Sequence, residues 1–211
     1  MKFHELSDKQ KDKVRYSNML SPDDGWWDFI YDDAIERGVA LGFHIERINF
    51  SGFYSQGDGA SWVGSVDLIP WLEHHKPLCA RAIILRELIE APAEWVSPIT
   101  GIHGNNSRYC HENTMGGASL DYADPEYEKG ELVGGTGMLA HVPYSDLVEN
   151  CKLIDEYFPQ LTEEILESAK DYARDIYKRL EKEYDYMLSD EYIAELCEGN
   201  DYGFDEEGQL V

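Results

Sequence analysis

Two short runs of alternating apolar and polar residues, separated by a glycine-rich turn, constrain this chain more than any other feature. Ile48, Phe50 and Gly52 alternate with Asn49, Ser51 and Phe53. After Ser55-Gln56-Gly57-Asp58-Gly59, a second run places Trp62, Gly64, Val66 and Leu68 on one face. Successive side chains of a strand point to opposite faces, so a period of two marks a half-buried strand. Two such runs joined by five turn-forming residues predict a β-hairpin over 47–69. A two-stranded hairpin is marginal in water, so its apolar face needs covering.

The covering elements read as helices. Ser7 and Gln10 have capping-box spacing, which predicts a short helix from Asp8 to about Tyr16. Ser21-Pro22-Asp23-Asp24 reads as a cap, a first-turn proline and acids at the positive end of the helix dipole. The helix it predicts carries Trp27, Ile30, Ala34, Ile35, Val39 and Leu41 at helical spacing and stops at Gly42. Pro77 to Glu90 is a third, with Leu78, Ala82, Leu85 and Ile89 at core spacing. Ser145 opens a fourth that ends before Pro159. Thr162 then caps the longest, whose stripe is Ile165, Ala169, Tyr172, Ala173, Ile176, Leu180, Tyr184 and Met187. Ser189 starts a last helix ended by Gly199, and 204–211 reads as a strand around a Glu207-Gly208 turn.

Residues 92–143 lack periodicity and hold eight glycines between Gly101 and Gly137. Strands are expected near Glu94–Val96 and Arg108–Met115, with a mobile loop over about 116–137. The whole is expected to be one α+β domain, 1–211, with a small antiparallel sheet built on the 47–69 hairpin and covered by helices.

Charge sets the functional expectations. The chain has 42 acids against 18 Lys plus Arg, a formal charge of −24. Phosphate backbones and anionic lipid surfaces repel such a chain, so neither nucleic acid nor membrane is an expected partner. A basic protein surface is. No run of apolar residues approaches the roughly 18 a membrane span needs, and no apolar stretch follows the amino terminus as a signal peptide requires. A cytoplasmic protein is expected. Cys79, Cys110, Cys151 and Cys197 are widely spaced with no C-x-x-C pair and are expected as reduced thiols.

The acids are unevenly spread. Residues 144–211 carry 20 acids and 6 bases, and from Ser189 onward there is no Lys or Arg. Asp190, Glu191, Glu195, Glu198, Asp201, Asp205, Glu206 and Glu207 therefore lack sequence neighbours of opposite sign, and Asp23, Asp24, Asp28, Asp32, Asp33 and Glu36 read as a second unpaired cluster. By contrast, Asp171 faces Arg174 at helical spacing. Trp26, Tyr31, Tyr122 and Tyr127 fall outside the core stripes. Placed among acids, they would make an acidic surface with aromatic anchors, which steers basic partners and then buries against them.

The run Phe50-Ser51-Gly52-Phe53-Tyr54-Ser55-Gln56-Gly57-Asp58-Gly59-Ala60 resembles the F-S-G-F-W-S-Q-G-D-G-A signature of a family of tailed-phage proteins. Glu5-Leu6-Ser7-Asp8, the acidic Trp-Trp helix ending in Leu41-Gly42, and Tyr177 to Tyr186 with Ser189-Asp190-Glu191 follow the same pattern. Tyr54 stands where the family has tryptophan. Members are hypothetical phage proteins, sometimes labelled antitoxins of toxin–antitoxin systems. The resemblance implies a phage origin, and with it an inhibitor of a host defence protein.

Two other constellations bear chemistry. Ser55, Gln56 and Asp58 can hydrogen-bond a ligand, although turn geometry alone accounts for Gly57, Asp58 and Gly59. Cys110-His111-Glu112 with His103 are metal-ligand types, but adjacent strand residues point apart, so Cys110 and His111 do not readily share a site. His74-His75 reads as surface or cap. No motif of a hydrolase, metalloprotease, dinucleotide or phosphate site is present. The expectation is a non-enzymatic binding protein without cofactor. Its partner-binding acids are Asp23, Asp24, Asp28, Asp32, Asp190, Glu191, Glu195, Glu198, Asp205, Glu206 and Glu207, joined by Ser55, Gln56 and Asp58. The alternative readings are an antitoxin-like interaction protein, or a small metal- or ligand-binding enzyme using the Ser55–Asp58 turn with His103 or His111. Oligomeric state stays open.

Overall fold

The computed structural model describes residues 1–17, 20, 22, 24–75, 80–91, 96–104, 109–120, 126–128, 131–134 and 144–211, with backbone alone for 80–81, 126–128, 131–134, 144–148 and 151. In chain order they form α1 (Asp8–Arg15), α2 (Asp28–Ala40), β1 (Phe43–Phe50), β2 (Ala60–Asp67), α3 (Leu68–His75), α4 (Ala80–Ile89), β3 (Ile99–Gly104), β4 (Met115–Gly116), β5 (Glu126–Glu128), β6 (Glu131–Gly134), α5 (Tyr144–Met187) and α6 (Asp190–Gly199). The expected α+β class holds. An antiparallel sheet, β1-β2-β3-β4, grows from the hairpin, and β5 and β6 pair as a separate ribbon. Within the chain expected as one domain, contacts gather into two compact units: Tyr31–Ile176, and Met1–Ile30 with Tyr177–Val211.

The larger unit is the sheet and its helices. β1 starts at Phe43, earlier than alternation predicted, because a bulge hides its first half. Register runs from Phe43↔Val66 to Ile45↔Gly64 and resumes at Arg47↔Val63, leaving Glu46 as the extra residue. The bulge resets the phase, so Phe43, Ile45 and Ile48 are all buried. Gly64 faces this irregularity, and a Cβ there would lie 2.1 Å from the His44 carbonyl oxygen. On β2, Trp62 and Val66 are buried, and Leu68 follows them at the start of α3. The hairpin connection spans residues 51–59 rather than the five-residue turn expected.

Gly42 carries the chain from α2 into β1. Its φ is +85°, and a Cβ would meet the Asp67 carbonyl oxygen at 2.6 Å and the Trp71 nitrogen at 2.8 Å. Both facts select glycine. Asp67 ends β2 and begins α3, its carboxylate accepting from the Ile69 N–H at 3.1 Å. Alternation carries the strand on through Leu68, but that residue already opens α3, for which the period of two gives no signal. The third sheet strand is β3, Ile99–Gly104, where the sequence carries no strand signal, and of the described part of 108–115 only Met115 is in a strand, β4. Glu94 and Arg108 lie outside the described residues, and Glu112–Thr114 is a 3-10 turn instead of strand. Of 116–137, residues 121–125, 129–130 and 135–137 also lie outside them, and the rest hold the end of β4, residues 117–120 and the β5–β6 ribbon. α4 keeps Ala82 and Leu85 in the core as expected, whereas Leu78 is not among the described residues.

α5 is one helix where two were expected. Pro159 sits inside it, on the exposed side, while Ile154, Phe158, Leu161 and Ile165 are buried on the other. A helix interior normally rejects proline. Here the flanking apolar anchors hold both halves to one core. Thr162 is no cap: its hydroxyl donates to the Phe158 carbonyl at 2.8 Å, within the helix. Within this unit Ala169, Tyr172, Ala173 and Ile176 continue the stripe, fully or nearly buried. Three aromatic polar groups of the core are matched: Trp62 Nε1 donates to the Ala169 carbonyl at 3.0 Å, Trp71 Nε1 to Ser168 Oγ at 2.7 Å, and the Tyr172 hydroxyl to the Ala34 carbonyl at 2.6 Å.

α2 begins at Asp28, later than Pro22, because Gly25 takes φ +88°, a left-handed conformation that a helix cannot include. Ser21 and Asp23 lie outside the described residues. Ile30, Ala34 and Gly38 form its buried side, and Ile35 and Val39, expected inside, are exposed. Gly38 lets the helix approach β1 closely: a Cβ would lie 3.1 Å from the Phe43 carbonyl oxygen.

The smaller unit has its own core of Phe3, Leu6, Val14, Leu20, Ile193, Cys197 and Phe204, edged by Tyr192, Leu196, Tyr202 and Leu210. α1 starts where the capping box placed it, with the Ser7 N–H donating to Gln10 Oε1 at 2.8 Å. Ser189 Oγ accepts from the Tyr192 N–H at 3.2 Å and caps α6. Phe204 bridges Leu210 antiparallel, as the closing turn predicted. Cys197 is buried and free and Cys110 half-buried and free; the side chains of Cys79 and Cys151 lie outside the described residues.

Candidate functional site

The hairpin loop is built by its own aspartate. Asp58 Oδ2 accepts from the N–H groups of Tyr54 (2.9 Å) and Ser55 (2.6 Å), so the carboxylate is committed to holding the loop. Ser55 and Gln56 are exposed. Tyr109 packs its ring on Gly57, where a Cβ would come within 2.6 Å of it. The Phe50 and Phe53 rings meet at a tilt with centroids 5.0 Å apart, and Tyr54 stands 79% exposed. His111 serves a local purpose too, its Nδ1 accepting from the Asn113 N–H at 3.2 Å to cap the 3-10 turn. His103 sits on β3 opposite Gly116, and His75 packs against Trp71 and Phe43. Among the described residues no group of three or more His, Cys, Asp or Glu is placed to hold a metal ion.

The acids divide into paired and unshared groups. Asp190, read from the sequence as lacking a partner, is paired: it accepts from Lys11 Nζ at 3.0 Å and Arg15 Nη2 at 2.5 Å. These contacts hold its carboxyl below the usual carboxylate range, the Lys11 hydrogen bond contributing most, against some desolvation. Asp201 meets Lys2 at 3.0 Å, and Asp33 meets Arg37 at 3.7 Å. Asp205 is used by the last turn, accepting from the N–H groups of Glu207 and Gln209, each at 2.8 Å, and its carboxyl is likewise held low, by the Gln209 bond first. On the long helix, Arg174 pairs with Asp171 as spacing predicted, and also lies 3.6 Å from Glu112.

What remains of the predicted set is exposed. Glu191, Glu195 and Glu198 follow one face of α6 at steps of four and three residues, all exposed. Asp24, Asp28, Asp32, Glu206 and Glu207 are exposed as well, and Asp23 lies outside the described residues. Ser55, Gln56 and Asp58 belong to the other compact unit from α6. Tyr186, missed by the sequence reading, joins the α6 face. It is 44% exposed, its ring meets Tyr192 edge-on at 5.3 Å, and its hydroxyl is pushed up by desolvation and by the charges of Glu195, Glu191 and Glu183. The charges of three carboxylates therefore act on one exposed phenol. Of the aromatic residues singled out, Trp26 and Tyr31 are half-buried, Tyr122 lies outside the described residues, and only the backbone of Tyr127 is described.

Fold and surface define an α+β protein with an aromatic-centred carboxylate face. The chain belongs to a family of domains of unknown function, DUF8835, which it matches over residues 26–190. That stretch takes in the hairpin and the long helix and ends at the first residue of α6. No curated protein and no solved structure matches the chain. Among the described residues, no helix is long and apolar enough to cross a membrane.

Proposed function

We propose that this chain is a non-enzymatic binding protein that docks its α6 face on a positively charged surface of another protein. The observation that supports this reading is the row of exposed carboxylates Glu191, Glu195 and Glu198 along one face of α6, with the exposed Tyr186 in contact with Tyr192 of the same helix and no Lys or Arg from Ser189 onward. Exposed carboxylates beside an exposed aromatic side chain steer a basic partner from a distance and bury an anchor on arrival. The likeness of residues 50–60 to a tailed-phage signature makes the partner a host defence protein, with its nucleic-acid-binding surface as the docking face.

The test is capture from a bacterial lysate at low and high salt, comparing the native chain with Glu191→Lys/Glu195→Lys/Glu198→Lys. The native chain is expected to retain a partner at low salt and release it as salt rises, since exposed charges are screened over about 8 Å at physiological ionic strength. The charge-reversed chain is expected to retain none. Equal retention by both chains, or capture indifferent to salt, would remove the proposal.

A further inference from the structure

A second feature of the smaller unit carries the docking reading to a specific chemistry. Beside the α6 face lies a groove of about 500 Å³ whose walls include Trp26, Phe29, Met187, Tyr192 and Leu196, with Glu183 among them. The aromatic wall is preformed. Trp26 is held by Trp27 at 5.6 Å, edge-on, and by Tyr184 at 5.7 Å, while Phe29 stands 56% exposed. Asn200 also lines the groove, its amide nitrogen donating to the Leu196 carbonyl at 2.8 Å.

We infer that this groove takes an arginine side chain from the basic partner, an inference that rests on the docking reading above. Three properties select that occupant. The groove has rings, whose faces attract a cation. It contains a carboxylate, Glu183, that a guanidinium fork can engage. Its apolar stretch over Met187 and Leu196 matches an aliphatic stem. A neutral apolar ligand would leave Glu183 to be desolvated without compensation, and an anion would face Glu183 and the neighbouring Glu191 and Glu195. Lysine satisfies the charge but not the planar stacking or the fork, so arginine is preferred.

The test is calorimetric titration of the full chain with acetylated oligo-arginine and oligo-lysine peptides of equal length. Oligo-arginine is expected to bind roughly tenfold more tightly. Phe29→Leu keeps apolar surface but removes the ring, and is expected to weaken oligo-arginine about fivefold. Glu183→Gln is expected to weaken it roughly tenfold. Glu163→Gln, exposed on α5 in the larger unit and in neither the α6 face nor the groove wall, should change it less than about twofold. Melting curves confirm that each variant folds, and the exposure of Phe29 makes its replacement tolerable. If Phe29→Leu and Glu183→Gln bind like the native chain while Glu191→Lys/Glu195→Lys/Glu198→Lys abolishes binding, the anchor is overturned and the docking face stands. If the native chain binds neither peptide, the docking reading falls and the anchor with it.

Discussion

Asp190 heads α6 and accepts from Lys11 and Arg15 of α1, so a basic helix of the chain neutralises part of its own acidic end. Because these contacts lower the folded-state pKa, their stabilisation is present above the unfolded value of about 3.9 and fades as pH falls through the folded one. Asp190→Asn is therefore expected to lower the melting temperature at neutral pH, by no more than about 1 kcal/mol of stability for a half-exposed pair. The gap from the native protein should close as the pH drops below the ordinary aspartate range; a gap that persists in acid would assign the effect to packing. This pairing was not legible in the sequence, because Lys11 and Asp190 are remote in it. The capping residues Ser7 and Ser189 were, because a cap needs only its next few neighbours. Tyr186 escaped notice for the first reason: its carboxylates come from α5 and α6 together.

Among the elements, α5 shows most directly how tertiary packing overrides local preference. Pro159 reads as a stop, and an isolated peptide would obey it. With Ile154 and Phe158 before it and Leu161 and Ile165 after it in one core, the helix continues. Pro159→Ala restores an amide donor at an exposed position and is expected to raise stability by about 1 kcal/mol, read as a higher melting temperature. An unchanged or lower value would mean that the proline's geometry is needed. The hairpin was readable where strand period and burial agree, along β2. It was unreadable along the first half of β1, where the extra Glu46 moves apolar residues off a strict alternation. β3 was missed because Ile99–Gly104 contributes only Thr100 and Ile102 to the buried face, too few for a pattern.

For the molecule as a whole, a formal charge of −24 makes like-charge repulsion the dominant long-range term. Added sodium chloride screens that repulsion and, less importantly, the few exposed pairs such as Lys2–Asp201. The melting temperature is expected to rise from low ionic strength to about 0.15 M, where the screening length is about 8 Å. A falling value would show that the internal pairs outweigh the excess. The α+β class was legible because it follows from the hairpin and the helical stripes. The gathering into two units was not, since it depends on which remote segments share a core.

The bulge in β1 has a bearing on how such a protein behaves when crowded. β1 closes one side of the four-stranded sheet, and a flat, regular border of that kind invites a neighbour to add on and seed a filament. The surplus residue at Glu46 breaks the ladder's rhythm, and the exposed His44, Glu46 and Arg47 place ionisable groups along the same border. A rim of that kind disfavours edge-to-edge pairing of one sheet with another.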